Sequence, residues 1–464
     1  MSRTIDEPTE LERVAHWLDE RTGFARVARS ALRHVFPEHW AFLLGELALY
    51  CFITLVITGV FMTFFFAADG REVTYDGSFA PLVGAKMSAA YESVLNLSFE
   101  VRAGLLVRQL HHWAAIVFVG AIAVHMMRVF FTGAFRRPRE INWLIGVTML
   151  ILALAEGFTG YSLPDDLLSG TGLRIAYGVA MAIPLVGPNL AFLLFGGEFP
   201  SEFIIGRLFV LHIMLLPALL IGAVSVHLLL VFVQKHTDFR HARSTETTIV
   251  GRRFWPVYAF RTVGLWLLTS AVLAAIGGLF QINPVWDYGP YLAYVATAPA
   301  QPDWYLGWLE GALRLGLPFE PTILGVTIPS AFLPAVVLPT ALFGLIVVWP
   351  WVERRMTGDR RQHHVLDWPS EAPIRTATGM AVLSFFVVLT LAGANDVIAV
   401  TFRVNVELVT NVFRVMIIAV PIVSWLTVYQ LCRQRSRHVG EAPLGGFALQ
   451  RTSEGGFAEE EEQP

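Results

Sequence analysis

The chain carries little charge for its length. Asp, Glu, Lys and Arg make up 15% of its 464 residues, whereas apolar residues make up 55%. Soluble domains carry about 25% charged residues, so the composition excludes an ordinary soluble enzyme and predicts a polytopic membrane protein. The formal net charge of -3 gives no indication of a nucleic-acid partner, and none is predicted.

Cysteine is also scarce, because the chain contains only Cys51 and Cys432. Two distant cysteines exclude a disulfide framework, a four-cysteine iron–sulfur site and a C-x-x-C-H haem attachment. Any haem must therefore be held without covalent links. Residues 1–14 (MSRTIDEPTELERV) lack the hydrophobic core of a signal peptide, so we expect the N-terminus to stay in the cytoplasm.

Eight apolar segments are long enough to cross about 30 Å of hydrocarbon. They predict an all-α polytopic membrane protein with both termini on one side. Lys and Arg concentrate in the loops after the second, fourth and sixth segments, so the positive-inside rule places both termini in the cytoplasm of a bacterial cell membrane. The predicted spans are 42–66, 110–132, 142–163, 206–233, 263–282, 330–351, 378–400 and 412–432.

Four histidines in two of these segments share a spacing. His111 and His125 are 14 residues apart, and His212 and His227 are 15 apart. Fourteen residues are nearly a whole number of helical turns and about 21 Å, so adjacent helices would present two facing pairs. Two stacked bis-histidine haems require this arrangement. A hydrogen-bonded histidine or a proton path is the alternative for any single one, and His112, about 100° from His111 on a helix, is the spare.

Glycines and arginines support the same interpretation. Glycine lets a flat ring approach a helix backbone, and two glycine pairs repeat the 14-residue interval, although ordinary helix packing also uses glycine. The glycines are Gly45, Gly59, Gly146 and Gly160. Arg108, Arg128 and Arg207 lie near the histidines, where a guanidinium can pair with a haem propionate; snorkelling to the interface is the alternative.

The tetrapeptide Pro302-Asp303-Trp304-Tyr305 lies in a long outer loop. A carboxylate beside aromatic rings at a membrane surface could accept a proton or hydrogen bond from a hydroquinone. A turn with interfacial aromatics explains the tetrapeptide equally well. The outer segments 184–200 and 284–329 are rich in Gly and Pro and longer than simple connectors, so short helices are predicted there.

With these motifs in their order, the chain resembles the cytochrome b subunit of cytochrome bc complexes over about residues 38–432. The run H-H-W, the PDWY tetrapeptide and A-G-A-N-D (392–396) are together most similar to actinobacterial menaquinol enzymes. The other matching motifs are R-Q-L-H-H (108–112), A-V-H-M-M-R (123–128), G-Y-S-L-P (160–164), I-P-L-V-G (183–187) and R-L-F-V-L-H (207–212).

The resemblance implies a quinol–cytochrome c reductase with two non-covalent b haems in the bundle of the first four spans. His111 and His212 would ligate a low-potential outer haem, and His125 and His227 a high-potential inner one. The outer quinol site would comprise Pro302, Asp303, Trp304, Tyr305, Tyr161 and Glu310. Implied partners are menaquinol, a Rieske iron–sulfur subunit, a cytochrome c subunit, membrane lipids and a second copy in a homodimer; an attached terminal oxidase is a further candidate.

Three positions depart from the family pattern. Asp303 replaces the usual glutamate, Glu310 replaces an aromatic, and Thr262 stands where many relatives have an aspartate near the inner quinone site. Inner proton donors are therefore open, with Lys235, His236 and Glu46 as candidates. Two rival functions also stay open: a haem b membrane anchor of another dehydrogenase or hydrogenase, and a non-redox proton-coupled transporter.

The resulting domain prediction has four parts. Residues 1–36 form a cytoplasmic amphipathic segment, with a surface helix over 10–36. Residues 37–240 form the four-helix di-haem domain, and 241–435 form a C-terminal four-helix domain with the PDWY loop. Residues 436–464 form an acidic tail that we expect to be disordered.

Overall fold

The computed structural model describes residues 9–241, 243–295, 301–435, 447–451 and 457–460. Within these residues, eight helices are long and apolar enough to cross a membrane, so the predicted fold class is confirmed. We number them spans 1 to 8 in chain order. They are Trp40–Thr63, Gly104–Phe131, Glu140–Ser162, Phe203–Gln234, Phe254–Leu279, Leu333–Thr357, Pro373–Gly393 and Val406–Gln434.

The predicted boundaries of span 7 were wrong. The apolar stretch 378–400 suggested one crossing, but span 7 ends at Gly393 and a separate helix, Asn395–Phe402, follows. At Gly393 the backbone passes so close to Gly307 that an added Cβ would lie 2.4 Å from the Gly307 carbonyl oxygen. Hydropathy does not register this break, because both sides of it are apolar.

Spans 1 to 4 form the first bundle. Span 1 packs on span 2, span 2 on span 3 and span 3 on span 4, while span 5 lies against spans 1 and 2. The core between them uses small or slender side chains such as Cys51, Ala114, Ala153 and Leu220. Small residues let membrane helices approach closely, which supplies van der Waals contact where lipid offers no hydrophobic driving force.

Spans 7 and 8 pack together, and the helix Trp304–Leu315 lies on span 7. We call Trp304–Leu315 the PDWY helix. A buried ionic cluster fixes this second group to the first. Arg375 in span 7 pairs with Glu353 in span 6 and lies 3.0 Å from Asp367, which in turn lies 2.9 Å from Arg136 in the loop after span 2. Removing one partner would leave a buried charge uncompensated.

Span 4 contains a wide π turn, Leu211–Leu215, followed by Pro217. Proline has no N–H to give to the carbonyl four residues earlier, so the helix widens there. The π turn holds one extra residue. The 15-residue interval from His212 to His227 therefore covers the same number of helical turns as the 14-residue interval from His111 to His125. The two histidines of each span thus lie on one face of their helix.

Shorter helices lie outside the spans. The predicted surface helix over 10–36 is divided at Gly23, which has a positive φ of 64°. The predicted outer helices are present in 184–200 and 284–329. The helices are Glu10–Thr22, Phe24–Leu32, Ala89–Phe99, Leu167–Met181, Gly187–Phe195, Val285–Tyr288, Trp304–Leu315 and Asn395–Phe402, with 3₁₀ turns at Trp40–Phe42, Ala80–Leu82 and Pro369–Glu371.

Three small sheets were not predicted. In the largest, Val35–Phe36, Thr248–Arg253, Phe447–Arg451 and Phe457–Glu460 pair in that order, all antiparallel. The N-terminal segment, the loop after span 4 and part of the tail thus meet at one end of the bundle. The other hairpins are Glu72–Thr74 with Lys86–Ser88, and Thr322–Ile323 with Val326–Thr327.

The prediction of a disordered tail is wrong for residues 447–451 and 457–460, which are strands. Backbone pairing to a neighbouring strand can order a segment whatever its composition. The remaining tail, 436–446, 452–456 and 461–464, lies outside the described residues.

Candidate functional site

The four predicted histidines form two facing pairs. The ring centroids of His111 and His212 are 6.3 Å apart with planes at 69°, and those of His125 and His227 are 6.4 Å apart at 75°. Two nitrogen–metal bonds of about 2.0–2.1 Å, plus the depth of each ring, give a centroid separation of about 6 Å. Each pair is therefore spaced to hold one metal ion between its imidazoles.

Hydrogen bonds orient the outer pair. Nδ1 of His111 lies 2.8 Å from the Thr58 hydroxyl, and Nδ1 of His212 lies 3.1 Å from the Glu156 backbone oxygen and 3.3 Å from the Thr159 hydroxyl. A partner on Nδ1 fixes the tautomer and leaves Nε2 as the ligating atom. The two rings are thus held in position with Nε2 available to a metal ion.

The inner pair lines a cavity of about 440 Å³, which we call the inner cavity, together with Gly45 and Gly146. Arg128 reaches it with its guanidinium over the Phe42 ring, 4.2 Å from the centroid. Nε and Nη2 of Arg128 are buried without a hydrogen-bond partner among the described residues. Buried donors of this kind require an acceptor, and an anionic carboxylate suits a guanidinium best.

Three of the four predicted glycines face a histidine ring. An added Cβ would lie 3.2 Å from His125 at Gly45, 3.4 Å from His111 at Gly59 and 2.4 Å from His212 at Gly160. At Gly146 nothing lies within 4 Å. Only a residue without a side chain fits at Gly160, because the His212 ring lies against the helix backbone there.

The other two predicted arginines already have protein partners. Both Arg108 Nη atoms donate to the Asn283 backbone oxygen at 3.1 Å, and the Arg108 Nε is buried without a partner among the described residues. Arg207 donates to the Leu193 backbone oxygen. Arg108 therefore keeps a free donor for an acceptor nearby, whereas Arg207 is turned toward its own outer loop.

Asp303 is held by two side chains. His112 Nε2 lies 2.9 Å from Asp303 Oδ1, and the Tyr305 hydroxyl donates to Oδ2 at 3.0 Å. The side chains of His112 and Asp303 are only 14% and 13% exposed. Sequence reasoning had treated His112 as a spare. Its position one residue after His111 turns the His112 side chain toward the PDWY helix. The two consecutive histidines were the sequence feature that could have indicated this second role.

The PDWY helix brings the other outer residues close to Asp303. Burial and the Asp303 carboxylate raise the pKa of Tyr305 well above its usual value, and Tyr161 is near enough to contribute. Trp304 and Tyr305 also line one end of an apolar cavity of about 440 Å³ between spans 2, 3, 6 and 7, whose other end reaches Phe131, Trp143 and Trp349. Pro302 precedes the helix in the loop. Proton-accepting groups thus lie beside an apolar chamber.

Glu310 lies two turns along the PDWY helix from Asp303 and forms an ion pair with Arg314 at 2.5 Å. Burial raises the pKa of Glu310, and Arg314 opposes that shift. Its Oε2 is buried without a partner in the described part of the chain. Arg314 also forms an ion pair with Asp396 at 2.9 Å and donates a hydrogen bond to Asn395. This link was not predicted, although both residues belong to the A-G-A-N-D motif.

A second polar group lies at the inner end. Glu46 in span 1 accepts hydrogen bonds from Thr262 at 2.5 Å, from Tyr50 at 3.2 Å and from Tyr258. Thr262 replaces the expected aspartate of span 5, so span 1 supplies the carboxylate that span 5 lacks. Glu46 and Tyr258 line the inner cavity.

Basic residues stand across the inner cavity from Glu46. Lys235 Nζ lies 3.2 Å from His34 Nδ1. Burial and Lys235 lower the pKa of His34 to about 4, and burial, His34 and nearby cations lower the pKa of His236 to about 3. Both rings are therefore neutral at physiological pH. His34 was not predicted from the sequence.

Comparisons with known proteins agree with this architecture. The family model described as Cytochrome b(N-terminal)/b6/petB matches residues 116–290. Cytochrome bc1 complex cytochrome b subunits are 46% identical in Mycobacterium tuberculosis (97% of this chain, 82% of the relative) and 45% in Corynebacterium diphtheriae (97% and 84%). The Streptomyces coelicolor subunit is 43% identical (96% and 83%).

A solved structure supports the fold independently. It is titled "Hyperthermophilic respiratory Complex III". The superposition includes 90% of this chain and 100% of the solved chain, with a TM-score of 0.62 at 18% sequence identity. At that identity the similarity concerns the fold alone. The relatives at 43–46% identity over nearly the whole chain show the family: this chain belongs to the cytochrome b subunits of cytochrome bc1 complexes, the membrane subunits of quinol–cytochrome c reductases.

Proposed function

We propose that this chain oxidises quinol, with menaquinol as its substrate, at an outer site and reduces quinone at an inner site, so that turnover contributes to the proton-motive force. The observation that carries the proposal is the two facing histidine pairs, spaced 6.3 and 6.4 Å between ring centroids, with one member of each pair in span 2 and the other in span 4. They support two electron-carrying centres at different depths in one bundle.

The chain's residues fit two non-covalent b haems. His111 and His212 would hold one, His125 and His227 the other, with Arg128 offering unpartnered donors to a propionate. Bound haem supplies one-electron redox chemistry at each depth. The protein's own contribution is to orient the four imidazoles, to keep glycine backbone beside the flat groups and to exclude water from the bundle.

At the outer site, the apolar cavity beside Trp304 and Tyr305 would bind the quinol ring and the start of its isoprenoid chain. Asp303 accepts one quinol proton, and His112 and Tyr305 hold its carboxylate in place. Glu310, with one oxygen that has no partner among the described residues, is a second acceptor on the same helix. Quinol oxidation releases two protons and two electrons, so two acceptors are needed.

The two electrons of the quinol then follow different routes. One leaves to a Rieske iron–sulfur subunit and onward to a cytochrome c subunit, because the two cysteines of this chain cannot hold an iron–sulfur cluster. The other crosses to the inner side. We also propose that the complex is a homodimer, with a terminal oxidase as a further partner, and that both termini are cytoplasmic, as the arginine-rich loops after spans 2, 4 and 6 indicate.

The function is tested by a haem count and an assay on the purified complex. We expect two haem b per chain in a pyridine haemochrome spectrum, two resolved α-bands in a reduced-minus-oxidised spectrum, and cytochrome c reduction driven by a menaquinol analogue. A colourless protein would favour a transporter. Haem without quinol–cytochrome c activity would favour a membrane anchor of another dehydrogenase.

At the inner site, Glu46 is the proposed proton donor to quinone. Glu46→Gln keeps the side-chain shape and one acceptor oxygen but removes the exchangeable proton. We expect about a hundredfold slower quinone reduction or more, the usual cost of losing a positioned acid. Steady-state spectra during turnover should show the inner haem more reduced than in the wild type, with both haems still bound.

Tyr50→Phe is the matched control for Glu46→Gln. It removes the longest of the three hydrogen bonds to Glu46, at 3.2 Å, together with the contact between the Tyr50 and Thr262 hydroxyls, and leaves the carboxylate in place. Turnover should fall by far less than in Glu46→Gln. Equal steady-state reduction of the inner haem in wild type and Glu46→Gln would assign the proton delivery to Lys235 or to another group.

A further inference from the structure

One carboxylate at membrane depth has no part in the function proposed above. Glu156 lies in span 3, one turn before Gly160, and its Oε1 is 3.2 Å from His212 Nδ1. Its Oε2 is buried and has no hydrogen-bond partner among the described residues. An ionisable side chain at this depth is costly and is retained for a functional reason.

The contact is on the side of the ring away from a bound metal. A histidine that ligates through Nε2 carries its remaining proton on Nδ1. The Nδ1–H of His212 donates to the Glu156 backbone oxygen at 3.1 Å, and a carboxylate oxygen of Glu156 lies beside the same nitrogen at 3.2 Å. A carboxylate acceptor behind a ligating histidine fixes the ring and raises the basicity of the nitrogen that faces the metal.

We propose that Glu156 lowers the reduction potential of the haem held by His111 and His212 by placing its carboxylate beside Nδ1 of His212. The inference rests on the haem ligation proposed above. A negative charge next to the ligand stabilises the oxidised, more positive iron relative to the reduced one. Within the apolar bundle this interaction is weakly screened.

Near the inner histidines, span 3 carries an amide in place of this carboxylate. Asn142 stands in span 3 fourteen residues before Glu156, the same interval that separates Gly146 from Gly160. It lines the inner cavity together with His227. Span 3 thus places a carboxyl group at the outer level and a neutral amide at the inner one. This difference between the two side chains makes electron transfer from the outer haem to the inner haem thermodynamically favourable.

The test is Glu156→Gln in the assembled complex, followed by a potentiometric titration of both haems. Gln has the same length and leaves the backbone hydrogen bond to His212 in place, but it carries no charge. We expect the reduction equilibrium of the outer haem to shift at least tenfold toward the reduced form, which is about 59 mV for a one-electron couple. The inner potential should not move, and the electron paramagnetic resonance signal of the outer haem should shift.

Two controls make the result specific. Glu140→Gln removes a carboxylate from the other end of span 3, 3.8 Å from Arg354, and should leave both potentials unchanged. Thr159→Val removes the neutral partner of His212 at 3.3 Å and should shift the outer potential less than Glu156→Gln does. Glu156→Leu, which suits an apolar span, supplies the same measurement if the glutamine variant does not assemble.

The outcomes separate the two proposals. Two bound haems with an unshifted outer potential in Glu156→Gln overturn the role of Glu156 and leave the haem ligation intact. A shift of equal size in Glu140→Gln also overturns it, because the effect would then come from the charge of span 3 in general. A wild-type complex with fewer than two haems would contradict the proposed function itself, before any variant is compared.

Discussion

His111→Leu is expected to leave one haem b per chain instead of two and to reduce quinol–cytochrome c turnover to background. Leucine fits an apolar span, so the bundle should assemble, but it offers no nitrogen to a metal opposite His212. The two rings now stand 6.3 Å apart between centroids, and a single imidazole would not hold the haem that the pair would hold. A pyridine haemochrome count and the loss of one α-band measure the effect.

His112→Leu is the matched control, because it changes the adjacent residue on the same helix. The His112 ring lies 2.9 Å from Asp303 and not opposite His212. We expect both haems to remain and only quinol oxidation to slow, since Asp303 loses a partner. If His111→Leu retained both haems and His112→Leu lost one, the two adjacent histidines would have to exchange roles.

The sequence predicted the membrane fold well because its signals are local. A run of about 20 apolar residues can satisfy its backbone only as a helix in lipid, so eight runs give eight spans. The histidine spacing predicted facing pairs for the same reason, since helical geometry fixes which residues share a face. The unequal intervals of 14 and 15 needed the π turn at Leu211–Leu215 to be reconciled.

What the sequence left open depends on contacts between distant segments. Glu156 in span 3 contacts His212 in span 4. Glu46 accepts hydrogen bonds from Thr262 and Tyr258, which lie more than 200 residues away in the sequence. No local pattern encodes such pairs, although an isolated carboxylate inside an apolar span was a visible signal for Glu156. The strands in the tail were missed because backbone pairing with Thr248–Arg253 does not depend on tail composition.

Asp303→Asn is expected to lower the rate of quinol oxidation about a hundredfold, the usual scale for losing a positioned general base. Asparagine keeps the size of the side chain and can still bond His112 and Tyr305, so the PDWY helix should keep its place. It cannot take a proton from quinol. The measurements are the steady-state rate of cytochrome c reduction with a menaquinol analogue and the haem spectrum, which should show both haems.

Asp303→Glu and Glu310→Gln decide how the second carboxylate contributes. Glutamate at 303 restores a proton acceptor one methylene longer, so turnover should recover most of the loss seen in Asp303→Asn. Glu310→Gln removes the acceptor seven residues along the same helix and should slow turnover less, because Arg314 already shares that carboxylate. Wild-type turnover in Asp303→Asn together with a hundredfold loss in Glu310→Gln would move the first proton from Asp303 to Glu310.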